Sequence, residues 1–83
     1  MENLDELRKE IDNIDREIFL LLKKRFDVVK KVGEYKKKNN LPIRDLKREG
    51  EIIRRKAREM GMDEEFVEEV YRILFSEAYR IQQ

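Results

Sequence analysis

The 83-residue sequence contains no cysteine and no histidine, and it also lacks tryptophan and threonine. Without thiols and imidazoles the chain has no disulfide framework, no thiolate nucleophile and none of the usual zinc ligands. Histidine-based acid–base catalysis and Ser-His triads are excluded for the same reason. Any chemistry must therefore use arginine, lysine, carboxylate, amide or tyrosine groups, and we predict neither a metal nor a cofactor.

Glycine and proline are also scarce, at three and one residues, and no alternating, strand-like run is present. Apolar residues instead recur every three or four positions, which predicts an all-α chain and one domain over residues 1–83. We expect three helices, long, short and medium, at about 2–38, about 46–60 and about 64–82.

Four residues mark the predicted ends or an interruption of these helices. Asp45 and Asp63 are predicted N-caps of the second and third helices, and Gly61 is a predicted C-cap. Gly33 interrupts the long helix at a cost of about 1 kcal/mol relative to alanine. We therefore expect another part of the chain to approach the backbone closely at Gly33.

Positive and negative side chains are nearly equal in number, which excludes a strong electrostatic field of one sign around the whole chain. Lysine and arginine number 20, aspartate and glutamate 19, and the net charge is +1.

No apolar stretch approaches the ~20 residues that would span a bilayer. The first ten residues are charged and lack the apolar core of a signal peptide. We predict a cytoplasmic protein with no membrane partner.

Arg25 occupies a position where the pattern of the long helix predicts an apolar residue. A guanidinium there costs several kcal/mol unless an anion meets it, and Val28 and Val29 leave no carboxylate one turn later. We therefore expect a distant acid or an anionic ligand at Arg25. The apolar positions predicted to form one buried seam around it are Leu4, Leu7, Ile11, Ile14, Ile18, Leu21, Val28, Val32 and Tyr35.

The length of the first helix predicts a homodimer. Thirty-six helical residues span ~54 Å, whereas a compact chain of this size has a radius of gyration near ~12 Å. The far half of the helix cannot bury its apolar residues within its own chain. A second copy, with the long helices antiparallel, would cover them; a helical hairpin with a frayed end is the alternative.

Other polar residues share helix faces that could meet an anion. Lys36 follows Arg25 by three helical turns, ~16 Å along the axis. Asp45, Arg48 and Glu49 fall on one face of the second helix, and Gln82 supplies a neutral amide donor. Taken singly, these residues also fit a solvated helix end, an N-cap, surface charges and a frayed terminus. Together with Arg25 they suit a small polyanion that carries a hydroxyl.

The sequence resembles the all-helical chorismate mutases over nearly its whole length. The resemblance is carried by four segments in order, none of them highly specific alone. They are LDELRKEIDNID (4–15), KKRFDVVKKVGEYK (23–36), LPIRDLKRE (41–49) and IQQ (81–83).

The resemblance implies an intertwined homodimer that rearranges chorismate to prephenate, with active sites shared between subunits. Arg8 from the partner would join Arg25 and Arg48 on the two substrate carboxylates. Lys36 and Gln82 would bond the ether oxygen of the breaking C–O bond, and Asp45 and Glu49 would hold the ring hydroxyl. Many relatives place a serine where this chain has Ala78, so one carboxylate contact is expected to be lost or replaced.

The distance between two of these residues supports the sharing of sites independently. Arg8 and Arg25 are ~25 Å apart along one helix and about 100° around it. Side chains of ~6–7 Å cannot close that gap onto a small ligand. If both arginines touch one ligand, Arg8 must come from another subunit.

Three other functions compete with this interpretation. An isochorismate–pyruvate lyase would use a similar fold and a similar anion. A nucleic-acid or acidic-partner module would use residues 23–38, which hold eight basic side chains against two acidic ones, although the remainder of the chain is acidic. A purely structural helical dimer would leave Arg25 unexplained. We therefore predict a chorismate mutase that binds no nucleic acid.

Overall fold

The computed structural model describes residues 3–83, which form three α-helices and no β-strand. Helix α1 spans Leu4–Lys38, α2 spans Leu46–Met60 and α3 spans Glu64–Gln82. The predicted all-α class and the long–short–medium order are confirmed. Within the described residues, no helix is long and apolar enough to cross a membrane.

Helix α1 is fixed at both ends by polar groups. The Asn3 side chain accepts a hydrogen bond from the backbone N–H of Glu6 at 2.9 Å, which satisfies one of the free donors of the first turn. Three lysines lie in the last turn, where positive charge complements the helix dipole. The chain leaves the helix through Asn40, which has a left-handed φ of 55°. The predicted start at residue 2 lies outside the described residues.

The predicted caps of α2 and α3 are confirmed. Asp45 and Asp63 each accept from a backbone N–H three residues later, at 3.1 Å and 3.2 Å. Gly61 ends α2 in the left-handed conformation with φ 62°, which an alanine would adopt only with strain. These caps fix the connector 39–45 and the turn at Gly61, and thereby the direction of both short helices.

Helix α3 packs against both other helices and forms the small core. Ala57 of α2 and Val67 and Ala78 of α3 are its buried apolar side chains. Gly33 is buried in α1. Because these residues are small, the helices approach one another closely at the few points where they lie. The chain as a whole stays extended.

Helix α1 extends far beyond its partners. The molecule measures 58 × 24 × 17 Å, with a radius of gyration of 16.3 Å, well above the ~12 Å of a compact chain of this length. As the length of α1 predicted, a line of its apolar residues is uncovered, with exposures of 39–64%. We call this line the open stripe; it consists of Leu4, Leu7, Ile11, Ile14, Ile18, Leu21, Val28, Val32 and Tyr35.

Part of the open stripe lies where the sequence predicted buried residues. Val28, Val32 and Tyr35 were expected to continue a buried seam beyond Arg25, but they are 50%, 40% and 63% exposed. The flank of α1 turned towards α3 instead carries Leu22 and Val29, which are half-buried. An apolar face of α1 is ~100° wide, so α3 covers one edge of it and leaves the other open.

Candidate active site between the three helices

A cavity of about 170 Å³ lies where the last turns of α1, the start of α2 and the end of α3 meet. Phe75 and Ala78 of α3 and Val29 of α1 contribute apolar surface to it. The cavity is partly open to solvent. Six predicted site residues line it, namely Arg25, Lys36, Asp45, Arg48, Glu49 and Gln82. The seventh, Arg8, lies on the projecting half of α1 and does not line it.

Arg25 lies on the wall of the cavity formed by α1. Its side chain is half-buried, and its Nη1 is fully buried without a hydrogen-bond partner among residues 3–83. The predicted distant acid is therefore not found in the described part of the chain. An unpaired buried donor of this kind costs ~1–3 kcal/mol or more, which an acceptor entering the cavity would remove.

Lys36 is held at the edge of the cavity by the connector. Its Nζ donates a hydrogen bond of 2.6 Å to the backbone carbonyl of Ile43. An ammonium has three N–H donors, so two remain for a ligand. Ile43 was not among the predicted site residues, because a backbone acceptor leaves no trace in a pattern of side chains.

Gln82 reaches the cavity because α3 lies almost against the backbone of α1. A Cβ at Gly33 would lie 2.8 Å from Cγ and 3.3 Å from Cα of Gln82. The close approach predicted at Gly33 is thus confirmed. The Nε2 of Gln82 donates to the Ala78 carbonyl at 3.2 Å, while its Oε1 is buried without a partner among the described residues.

The first turn of α2 supplies the remaining predicted charges. Asp45 caps the helix, and its carboxylate already accepts the Arg48 N–H at 3.1 Å. Arg48 is exposed and lines the cavity. Glu49 is half-buried. The Asp45 carboxylate is engaged in the cap, and one oxygen of Glu49 is engaged in the contacts described next. Most of the charge left for a ligand is therefore positive.

Glu49 is held by two residues that the sequence analysis missed, Tyr79 and Arg44. The Tyr79 hydroxyl donates to Glu49 Oε2, and Arg44 Nε lies 3.5 Å from the same oxygen. The Arg44 guanidinium also lies over the Tyr79 ring, 4.9 Å from its centroid. Tyr79 follows Phe75 by four residues and precedes Gln82 by three, a spacing that would have placed all three on one face.

The surroundings of Tyr79 keep its hydroxyl protonated. Burial is the largest cause, followed by the hydrogen bond to Glu49 and the charge of that carboxylate; together they raise the pKa of Tyr79 to about 12. The nearby Arg44 acts in the opposite direction. Tyr79 is therefore a hydrogen-bond donor throughout the neutral range.

The cavity also shows the predicted departure at Ala78. Ala78 is buried against the cavity and offers no side-chain donor. Ser76 lines a neighbouring pocket with Arg44, Glu68 and Arg72, on another side of α3. The cavity as a whole presents three cationic groups, one amide and one oriented carboxylate, which together suit a small anion that carries a hydroxyl.

Comparison with known proteins agrees with this geometry. The model of the family "Chorismate mutase type II" matches residues 7–83. A chorismate mutase of Methanocaldococcus jannaschii is 38% identical over 77 residues, which cover 89% of this chain and 78% of that protein. A solved structure of a conserved hypothetical protein from Pyrococcus furiosus superposes with a TM-score of 0.79 at 41% identity, covering 96% of this chain and 95% of that one.

Other relatives are much longer. A bifunctional chorismate mutase/prephenate dehydratase of Aquifex aeolicus is 57% identical over 53 residues, which cover 64% of this chain and 15% of that protein. The T-protein of Haemophilus influenzae is 38% identical over 82 residues, or 22% of its length. The chain thus spans less than a quarter of these two relatives. The family match across residues 7–83, together with the fold and the cavity, shows that the chain belongs to the chorismate mutase type II family.

Proposed function

We propose that this chain catalyses the rearrangement of chorismate to prephenate, in the synthesis of phenylalanine and tyrosine in the cytoplasm. The observation that carries the proposal is the buried Arg25 Nη1, which has no acceptor among the described residues and lines the cavity with Lys36 and Arg48. A carboxylate in the cavity would supply that acceptor. Arginine suits the task because its planar fork binds a carboxylate through two parallel hydrogen bonds.

The substrate would be held at several points. Arg25 and Arg48 would bind its carboxylates, and Arg8 of a second copy would complete the set. The backbone N–H of Asp45 and the Glu49 carboxylate would hold the ring hydroxyl. These contacts would keep a flexible dianion in the compact conformation from which it reacts, and such positioning lowers the barrier without any covalent step.

The reaction itself requires little from the protein. The ether C–O bond breaks while a new C–C bond forms in the same molecule, so no atom enters or leaves. Negative charge grows on the ether oxygen as its bond breaks. Lys36 Nζ and Gln82 Nε2 would donate to that oxygen, and one such donor typically contributes ~3–4 kcal/mol of transition-state stabilisation.

The proposed site needs a second chain. The open stripe leaves nine large apolar residues of α1 at least 39% exposed, and patches of this kind usually mark an interface. Arg8 lies ~25 Å from Arg25 along α1. We propose an intertwined, two-fold dimer in which the stripes of two α1 helices pack together and each Arg8 enters the partner's cavity.

The first experiment follows purified protein with chorismate and assays prephenate as phenylpyruvate after acid treatment. We expect turnover by the wild type and a loss of about 100- to 1,000-fold in kcat/KM for Arg25→Ala. Arg55→Ala removes an exposed arginine of α2 that does not line the cavity, and it should retain full activity. Release of pyruvate and salicylate from isochorismate would identify a lyase instead. No turnover by a folded dimer would contradict both activities.

A mixing experiment tests the shared site. Arg8→Ala and Arg25→Ala proteins should each be nearly inactive alone. After subunit exchange, half of the dimers are mixed and each has one intact site, so activity should return to about a quarter of the wild-type value. Native mass spectrometry verifies the mixed dimers. If verified mixed dimers stay inactive, each cavity uses residues of one chain only.

A further inference from the structure

The two carboxylate oxygens of Glu49 differ in their contacts. Tyr79 donates to Oε2, and Arg44 approaches the same Oε2. Oε1 takes part in no hydrogen bond or ion pair within the described residues. The side chain is only 15% exposed and lines the cavity, so one oxygen is fixed by the protein and the other is left for a ligand.

The two partners of Glu49 contribute unequally. The Arg44 side chain is 60% exposed, and an ion pair open to water in this way contributes little. The Tyr79 hydroxyl is the better anchor, because Tyr79 is half-buried and donates a hydrogen bond to a charged group. Such a bond is stronger than one between neutral groups. Its raised pKa of about 12 keeps the proton on the tyrosine. Arg44, stacked on the ring, restricts where that hydroxyl can point.

We propose that Tyr79, supported by Arg44, is a positioning residue that fixes the Glu49 carboxylate with Oε1 directed at the ring hydroxyl of the substrate. This inference rests on the proposed function and deepens it. It would also give the site specificity for a hydroxylated ring, although Glu49 belongs to α2 and its carboxylate contacts no other α2 residue among those described. The anchor comes from α3, so Glu49 is correctly oriented only when the two helices are packed.

The test compares two substrates, chorismate and its analogue without the ring hydroxyl. Tyr79→Phe keeps the ring and its packing but removes the donor. We expect kcat/KM for chorismate to fall about tenfold, the typical effect of losing a hydrogen bond to a charged group. For the analogue we expect no change, because it offers no hydroxyl to Glu49. The wild-type preference for chorismate should therefore shrink by the same factor.

A double-mutant cycle and a control make the result specific. In an enzyme that already carries Glu49→Ala, Tyr79→Phe should have no further effect on chorismate turnover, because the group it orients is gone. Tyr71→Phe removes the hydroxyl of another α3 tyrosine, one that does not line the cavity. This control should match the wild type on both substrates.

The possible outcomes separate the inference from the proposed function. Equal losses on both substrates would show that Tyr79 only supports packing, and no loss on either would show that it has no part in the reaction. In both cases the wild type would still form prephenate, and the proposed function would stand. A folded wild type that forms no prephenate would contradict the function and this role of Tyr79 together.

Discussion

The two flanks of α1 have similar apolar character but different surroundings. The flank towards α3 carries Leu22 and Val29, which are half-buried, and Gly33, which is buried. The other flank is the open stripe, whose members are 39–64% exposed. Arg25 lies between them and contributes to the cavity.

This difference shows what apolar periodicity does and does not predict. The spacing of apolar residues identifies which side of a helix avoids water. It does not say which surface covers that side. Here α3 has 19 residues and α1 has 35, so a single chain cannot cover both flanks along the full length of α1.

The largest effect is expected from a charge in the open stripe. Ile14→Asp would place an unpaired carboxylate in the proposed dimer interface once per subunit, at several kcal/mol each. We expect the dissociation constant of the dimer to rise at least ~100-fold, an energy of about 2.7 kcal/mol, and activity to fall with it. Sedimentation velocity over a concentration series measures the first effect and the prephenate assay the second.

The neighbouring residue supplies the control for Ile14. Asn13→Asp adds the same side chain one position away, about 100° around the helix and off the stripe. It should leave both association and activity unchanged. An Ile14→Asp protein that dimerises as tightly as the wild type would show that the open stripe is not the interface.

A smaller effect is expected at the packed flank. Gly33→Ala would bring a Cβ to 2.8 Å from Gln82 Cγ, so the end of α3 must shift and carry the Gln82 amide with it. We expect kcat to fall about tenfold, part of what loss of a transition-state donor costs. Stability should change less, because alanine favours the helix by ~1 kcal/mol and offsets the strain.

Gly50→Ala is the matched control for Gly33. Its Cβ would meet only the flexible end of the Arg54 side chain, at 3.4 Å. We expect a gain of about 0.5–1 kcal/mol in unfolding free energy and unchanged kcat. Thermal unfolding and steady-state kinetics of both variants give the comparison. Equal kcat values for the two would mean that Gln82 does not depend on the close approach at Gly33.

The smallest effect concerns stability at alkaline pH. Burial and the contact with Glu49 raise the pKa of Tyr79 to about 12 from its usual value of 10.0. A raised pKa means that the folded state holds the proton more tightly, so the resulting stability is present below about pH 10 and lost between about pH 10 and 12. The wild type should lose more unfolding free energy across that window than Tyr79→Phe does.

Denaturant unfolding at pH 9 to 12 measures this difference. The Tyr71→Phe protein should follow the wild type, since it retains Tyr79. If wild type and Tyr79→Phe lose stability in parallel, the hydroxyl of Tyr79 is not held by Glu49 in the folded protein.

Local features of the fold could be predicted from the sequence because they depend on neighbouring residues. The caps at Asp45, Gly61 and Asp63 and the three helices follow from short-range hydrogen bonding and apolar spacing. Gly33 could be predicted because glycine inside a helix is costly without a structural reason.

Features that depend on packing between helices could not be predicted in the same way. The Ile43 carbonyl that holds Lys36 is a backbone group. The contact between Tyr79 and Glu49 joins residues 30 positions apart in the chain. Val28, Val32 and Tyr35 continue the apolar repeat but are left uncovered by the rest of the chain, because a repeat alone does not show which surface covers it. The roles given to the seven site residues remain predictions.

The connector 39–45 has a consequence for how the chain can vary. Surface loops usually tolerate insertions, because added length costs little entropy. This connector is tied at two points: its Ile43 carbonyl accepts from Lys36, and its last residue, Asp45, caps α2. Adding or deleting one residue would break either the hydrogen bond from Lys36 to the Ile43 carbonyl or the cap at Asp45. We therefore expect natural variants to change the side chains at positions 39–43 more readily than the length of the connector.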